Sequence, residues 1–203
     1  ETDSTLVGCR IPGNKLAKKL ITLFDLPIAA PSANLSERTS VTNIMDIDPI
    51  LVKKIFVLKD KQSSHGLEST VVRIDTNNEI EVLRYGSITV EELNKYAKVK
   101  IKKKSSISPG NLKKHYSTLK PIRMNAKRIL KNEGLLNFGN NKLKSKIINL
   151  NLSNKKNLNE AAKNFYHYLH KLDQSRCKKI AVVEIPDKGL GKTINDRLRR
   201  AIK

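Results

Sequence analysis

Three stretches near the carboxyl end leave this chain few folds to adopt. Leu158, Ala161, Ala162, Phe165, Leu169 and Leu172 recur at helical spacing and mark one face of an amphipathic helix. The apolar run Ile180–Ile185 (IAVVEI) follows it. That run is short for a helix and suits a strand covered on both faces. Pro186 to Lys188 then turn the chain into a second helical stripe around Ile194, Leu198 and Ile202. A strand buried between helices has to sit in a layered α/β arrangement, because each apolar face needs another element to cover it. Gly134–Phe138 and Ile147–Asn151 supply further strand candidates. Residues 122–203 therefore predict a small α/β domain.

The first half gives a second set of elements. Thr5–Ile11 predicts a strand stopped by Pro12-Gly13, and Asn14 is placed to cap a helix with apolar positions Leu16, Leu20, Leu23 and Phe24. Ile28–Ala30, boxed by Pro27 and Pro31, suits a short buried strand. A short helix over Thr42–Asp48 and a strand over Ile55–Leu58 follow. Ser69–Asp75 and Glu79–Arg84 predict a hairpin about the turn Thr76-Asn77-Asn78. Thr89 and Glu92 have capping-box spacing and open a helix to about Tyr96; Val99–Lys103 then closes the unit as an edge strand. Lysines, serines, Pro109-Gly110 and Pro121 give 102–121 the composition of a linker, and His115-Tyr116 within it suggests docking as well as tethering. The expected division is 1–101, a linker and lid over 102–121, and 122–203.

Polar chemistry gathers after Ala30, where Ser32, Asn34, Ser36, Thr39, Ser40 and Thr42 crowd one loop. Small donors just past the carboxyl end of a strand are where open α/β sheets hold ligands, although the same composition also makes an ordinary turn-rich loop. Arg10 stands alone after an apolar run. Buried, it would need a carboxylate or phosphate, whether from a ligand or from an internal Asp or Glu. Gly191-Lys192-Thr193 resembles the tail of a phosphate loop, but Pro186 occupies the position where that motif needs glycine, which excludes it. His167 and His170 share a helix face without a nearby carboxylate or cysteine in sequence, so they are expected as solvated side chains rather than metal ligands. Four histidines offer no Ser–His–acid grouping.

Charge separates the halves. Residues 1–99 carry 13 basic and 13 acidic side chains, whereas 100–203 carry 27 and 6, which is the whole net charge of +21. Such asymmetry fits either a lysine-rich solvated surface or a face for a polyanion such as tRNA or double-stranded RNA. Cys9 and Cys177, one in each half, form no disulfide framework and fit a reducing, cytoplasmic setting. No stretch reads as a membrane span or signal peptide, so no membrane partner is expected.

The motifs resemble, in order, those of the YrdC/Sua5 family of L-threonylcarbamoyladenylate synthases: VGCRIP, PIAAPSANLS, GLESTVV, LRYGSIT, SPGNLKKHYS, AAKNFYHYLHKLD and IPDKGLGKTINDRLRRA. The resemblance implies the carboxyl-terminal part of a YrdC-like twisted-sheet domain followed by a small Rossmann-like Sua5 domain. It implies joining L-threonine, bicarbonate and ATP into threonylcarbamoyl-AMP, a nucleotidyl transfer that feeds the tRNA threonylcarbamoyl-transfer machinery, with magnesium accompanying the ATP. No covalent enzyme nucleophile is required. By matching position, Arg10 would hold the threonine carboxylate, with Ala30 and Ser69 lining its pocket. Ser32, Ser40, Arg84 and Tyr116 would contact the nucleotide, and Asn34 joins them from its place in the loop. The sequence departs from the family pattern at Glu37, Tyr85 and Leu6. Family members also begin with a further phosphate-gripping segment. The resemblance therefore implies that this chain alone is a poor catalyst; the rival expectation is a non-catalytic RNA-binding or remnant protein.

Overall fold

The computed structural model describes residues 7–34, 38–58, 60, 63, 65–101 and 117–202. Two sheets organise it. In the first, β1 (Val71–Ile74) and β2 (Ile80–Arg84) form an antiparallel hairpin with Val72 opposite Val82 and Ile74 opposite Ile80. The predicted turn closes because Asp75 Oδ1 accepts hydrogen bonds from the backbone N–H groups of Asn77 and Glu79, and Asn78 takes the left-handed conformation that asparagine tolerates. The short α3 (Val90–Leu93) then crosses over to β3 (Val99–Ile101), parallel to β2 and at the sheet edge. Its capping box is complete: Thr89 Oγ1 accepts from the Glu92 N–H, and Glu92 accepts from the Thr89 N–H.

The second sheet is fully parallel, with β4 (Ile122–Arg123), β5 (Glu133–Asn137), β6 (Asn149–Asn151) and β7 (Lys179–Val182) in the order β4-β7-β5-β6. α4 (Leu158–Gln174) and α5 (Leu190–Ala201) pack against one another, which gives the Rossmann-like arrangement. The helical stripe read from sequence is the buried one: Ala161, Ala162, Phe165, Leu169 and Leu172 lose essentially all exposure, as do Leu135, Leu136, Ile180 and Val182 beneath them. Each of the leucine, isoleucine, valine and phenylalanine side chains contributes roughly 1.5–3 kcal/mol relative to leaving it in water, and the two alanines less.

Residues 7–58 depart from expectation. α1 (Lys15–Phe24) forms, with Asn14 accepting from the Ala17 N–H as its cap, yet no residue of the helix is buried. A 3-10 turn at Ile44–Asp46 and the short α2 (Pro49–Val52) replace the helix expected over Thr42–Asp48. The described parts of the strands expected at Thr5–Ile11, Ile28–Ala30 and Ile55–Leu58 are not strands, and apart from the half-buried Val57 their apolar side chains are exposed, Val7 and Phe56 at 86% and 88%. The physical reason is that an apolar run becomes a strand only where a neighbour takes its backbone hydrogen bonds and a surface covers its side chains. Among the described residues neither is supplied. Thr5 and Leu6 lie outside the described residues.

Candidate functional site

The segment Gly66–Ser69, which leads into β1, packs against α4 and α5. Gly66 has φ +66°, and a Cβ there would stand 2.3 Å from the Ala162 carbonyl oxygen and 2.4 Å from Lys163 Cα. Only glycine lets the loop lie this close to the α4 backbone. Leu67 then enters the core beneath α4 and α5. Glu68 follows and is held by three donors. Ser40 Oγ and Tyr166 Oη (2.6 Å) both donate to Oε1, and Arg197 Nε donates to Oε2 at 3.0 Å. Arg197, 1% exposed, also donates through Nη2 to the Tyr85 carbonyl at 2.6 Å and through Nη1 to Asp196. Burial on its own would raise the Glu68 carboxyl. The Arg197 charge and the hydrogen bonds from Ser40 and Tyr166 outweigh that and hold it below the ordinary carboxylate value. Glu68 is thus ionised at neutral pH.

Ser69 is the next residue, and two guanidinium groups converge on it. Arg10 Nη1 donates to Ser69 Oγ at 3.2 Å, and Arg84 Nη2 donates to the Ser69 carbonyl at 2.9 Å. Arg84 is brought there as the last residue of β2, and Gly86 lets the following turn press against the backbone of Ser69 and Thr70. Arg10 itself is exposed. No burial cost demands a partner for it, and among the described residues no carboxylate lies within ion-pair reach. The chemistry on offer is a pair of fixed positive charges beside a serine hydroxyl, a setting suited to a carboxylate or phosphate.

The polar loop lies alongside. Asn34 Nδ2 donates to the Arg38 carbonyl at 3.1 Å; residues 35–37 between them lie outside the described residues. Ala30 and Ser32 are exposed, while Ser40 is tied to Glu68. The structure therefore brings Arg10, Ser40, Ser69 and Arg84 together through Glu68 and Ser69. It leaves Ala30 and Ser32 on the open side of the loop. Tyr116 falls outside the described residues. Its neighbour Ser117 pairs with Arg38 in a parallel bridge, so the end of the linker docks on this loop.

The two helix histidines are half-buried and hydrogen-bonded rather than freely solvated. His167 Nδ1 lies 2.9 Å from Asp46 Oδ2, and His170 Nε2 lies 2.9 Å from Thr39 Oγ1. Their partners are 121 and 131 residues away in sequence, which is why local spacing did not reveal them. A cleft of about 270 Å³ opens beside His170, Asn34 and Asp173, away from Arg10, Ser69 and Arg84. Among the described residues no three His, Cys, Asp or Glu side chains gather as a metal cage. Glu68, which precedes Ser69, is already paired with Arg197. Among the described residues magnesium therefore finds no such ligand set. Glu68 and Arg197 are the site residues that sequence reasoning missed. The only signal was their place in GLEST and in the buried stripe of α5.

Residues 88–202 match the family model described as the carboxyl-terminal domain of threonylcarbamoyl-AMP synthase, and residues 1–86 match the Sua5/YciO/YrdC model, described as telomere recombination. Curated relatives named threonylcarbamoyl-AMP synthase include the Pyrococcus abyssi protein, 26% identical over 96% of this chain and 63% of its own length. The Bacillus subtilis protein is 28% identical over 96% and 62%, and the Schizosaccharomyces pombe protein 35% identical over 53% and 30%. The chain thus spans less than two thirds of the length of each of these relatives. The crystal structure of P. abyssi Sua5 complexed with L-threonine superposes with a TM-score of 0.80 at 25% identity, covering 95% of this chain and 62% of that one. A doubly substituted variant of the same protein superposes at 0.72 with 24% identity over 95% and 60%, which bears on the fold alone.

Proposed function

This chain belongs to the threonylcarbamoyl-AMP synthase carboxyl-terminal domain family, and from that premise we propose that the polypeptide carrying it makes threonylcarbamoyl-AMP from L-threonine, bicarbonate and ATP. The observation that carries the reading is the convergence of Arg10 and Arg84 on Ser69, beside the tethered Ser40 hydroxyl. A relative with the same fold has been crystallised with L-threonine. In this reading Arg10 pairs with the threonine carboxylate, and Ala30 and Ser69 border the amino acid. Ser32, Asn34, Ser40, Arg84 and Tyr116 face the nucleotide.

The threonine nitrogen forms a bond to the bicarbonate carbon, a C–O bond breaks and water leaves, which gives a carbamate. One carbamate oxygen attacks the α-phosphorus of ATP, and the bond from that phosphorus to the bridging oxygen breaks as pyrophosphate leaves. Two like-signed nucleophile and phosphate groups must approach, so the protein's work is to position them and offset negative charge. Arg10 and Arg84 do this at fixed places, and no side chain needs to form a covalent bond. Magnesium bound to the phosphates would draw off further negative charge. The product supplies a group for tRNA modification. The exposed lysines of the second half suit docking of that polyanion, in a cytoplasmic setting that accords with the free thiols of Cys9 and Cys177.

The test is to incubate the expressed polypeptide with labelled ATP, bicarbonate and L-threonine. Formation of an AMP-containing product only when threonine is present is the expected result. A protein that yields no such product yet binds tRNA, with an affinity slope of about 0.7–0.9 per phosphate neutralised against log salt, would be the non-catalytic RNA binder instead.

A further inference from the structure

Four contacts run from the second sheet's helices into the loops of the site. Arg197 donates to Glu68 and to the Tyr85 carbonyl, Tyr166 donates to Glu68, and Thr193 Oγ1 donates to the Gly86 carbonyl at 3.0 Å. Thr193 and Arg197 lie one turn apart on α5, so one helix face grips both the strand end after Arg84 and the segment before Ser69. Arg197 is among the largest fully buried side chains of the molecule, although it is charged. A buried guanidinium is costly unless its donors are paired, and two of those donors, Nε and Nη2, are spent on Glu68 and the Tyr85 carbonyl. Glu68 in turn uses its Oε1 to accept from Ser40, which fixes that hydroxyl on the loop. A hydroxyl on a loop holds one direction only if an anchored acceptor orients it.

We infer that Arg197 is a positioning residue for the nucleotide: through Glu68 it orients Ser40, and through the Tyr85 carbonyl it sets the end of the strand that carries Arg84. The second unit then completes the site rather than merely being tethered to it. This rests on the reading that Ser40 and Arg84 face ATP. The relay is specific in its expected effect. Ser40 belongs to the nucleotide side and Arg10 to the threonine side, and the contacts run to Glu68, which holds Ser40, and to the Tyr85 and Gly86 carbonyls just after Arg84.

Calorimetry of ATP and of L-threonine on the expressed polypeptide reads it directly. Arg197→Met is expected to weaken ATP about ten- to a hundredfold, the scale of one charged hydrogen bond, and threonine much less. Arg197→Lys, which keeps the charge but not the fork, recovers part of the loss. In a Ser40→Ala background the Arg197→Met penalty should shrink, because the group through which it acts is gone. Equal losses for both ligands, or an undiminished penalty in that background, would overturn the inference. Should Arg197→Met fail to fold, Tyr166→Phe removes one donor from Glu68 at no cost in charge. It should show the same dependence on Ser40, and lack of that dependence likewise overturns the inference. If the unsubstituted protein binds no ATP, the nucleotide reading falls by itself. Amide exchange at residues 38–40 still decides the relay: faster exchange in Tyr166→Phe supports it, and unchanged exchange refutes it.

Discussion

Residues 7–58 and residues 117–202 use similar apolar vocabulary with opposite results. In the second region Phe165, Leu169, Leu172, Ile180 and Leu198 are sealed between a parallel sheet and two helices. In the first, α1 has an equally clear apolar stripe, yet Leu23 is 75% and Phe24 56% exposed. The difference lies in the neighbours, not in the stripes. α4 lies on β5, whose Gly134 would otherwise push a Cβ to 2.8 Å from Leu172. α1 has no such sheet beneath it among the described residues. A hydrophobic pattern states that a surface wants covering, and only tertiary contacts state what covers it.

The sharpest way to break this comparison is to truncate one core residue. Phe165→Ala should cost about 3–5 kcal/mol in a urea melt, the range for a large aromatic lost from a closed core. A cost below 1 kcal/mol would mean that the core of the second region is loosely packed.

A smaller effect comes from Glu133, whose side chain is 1% exposed and accepts from Arg123 Nε at 2.9 Å and Nη2 at 2.7 Å. These hydrogen bonds from Arg123 hold its carboxyl below the ordinary carboxylate value, against the opposing effect of burial. A depressed carboxylate adds stability that is fully present above its unfolded value, about 4.3, and is lost as pH falls through the folded value. Glu133→Gln should remove about 1–2 kcal/mol at neutral pH, a modest figure because Arg123 is partly exposed. The variant should also flatten the acid limb of stability below about pH 5. An acid limb identical to that of the unsubstituted protein would remove Glu133 from the account.

The smallest effect is expected in the first region. Phe24→Ala on the open face of α1 should change stability by no more than about 0.5 kcal/mol. A loss comparable to that of Phe165→Ala would show that the α1 face is covered in solution.

The same contrast explains what the sequence could disclose. The Asn14 cap, the Thr89–Glu92 capping box and the turn after Asp75 are built from residues a few positions apart, so their physics is local and was readable. The second region was readable for a related reason: the burial its pattern demands is satisfied within it. Ile28–Ala30 and Ile55–Leu58 mislead because an apolar run does not carry its own cover. Of the site, Arg10, Ser40, Ser69 and Arg84 were reached by motif and do come together, while the bonds that hold them were hidden. Glu68 and Arg197 are 129 residues apart, and Glu68 and Tyr166 are 98 apart. No local spacing encodes such pairs, and a buried arginine on an amphipathic helix reads like any surface cation until its partner is seen.

The account's central claim is that Arg10, which donates to the Ser69 hydroxyl, forms the threonine side of the site. The direct measurement is calorimetric titration of L-threonine into the expressed polypeptide and into its Arg10→Ala variant, with ATP titrated in parallel. Loss of one charge-assisted hydrogen bond predicts threonine binding weakened about ten- to a hundredfold, with ATP affinity changed far less. Threonine affinity unchanged by Arg10→Ala would contradict the claim.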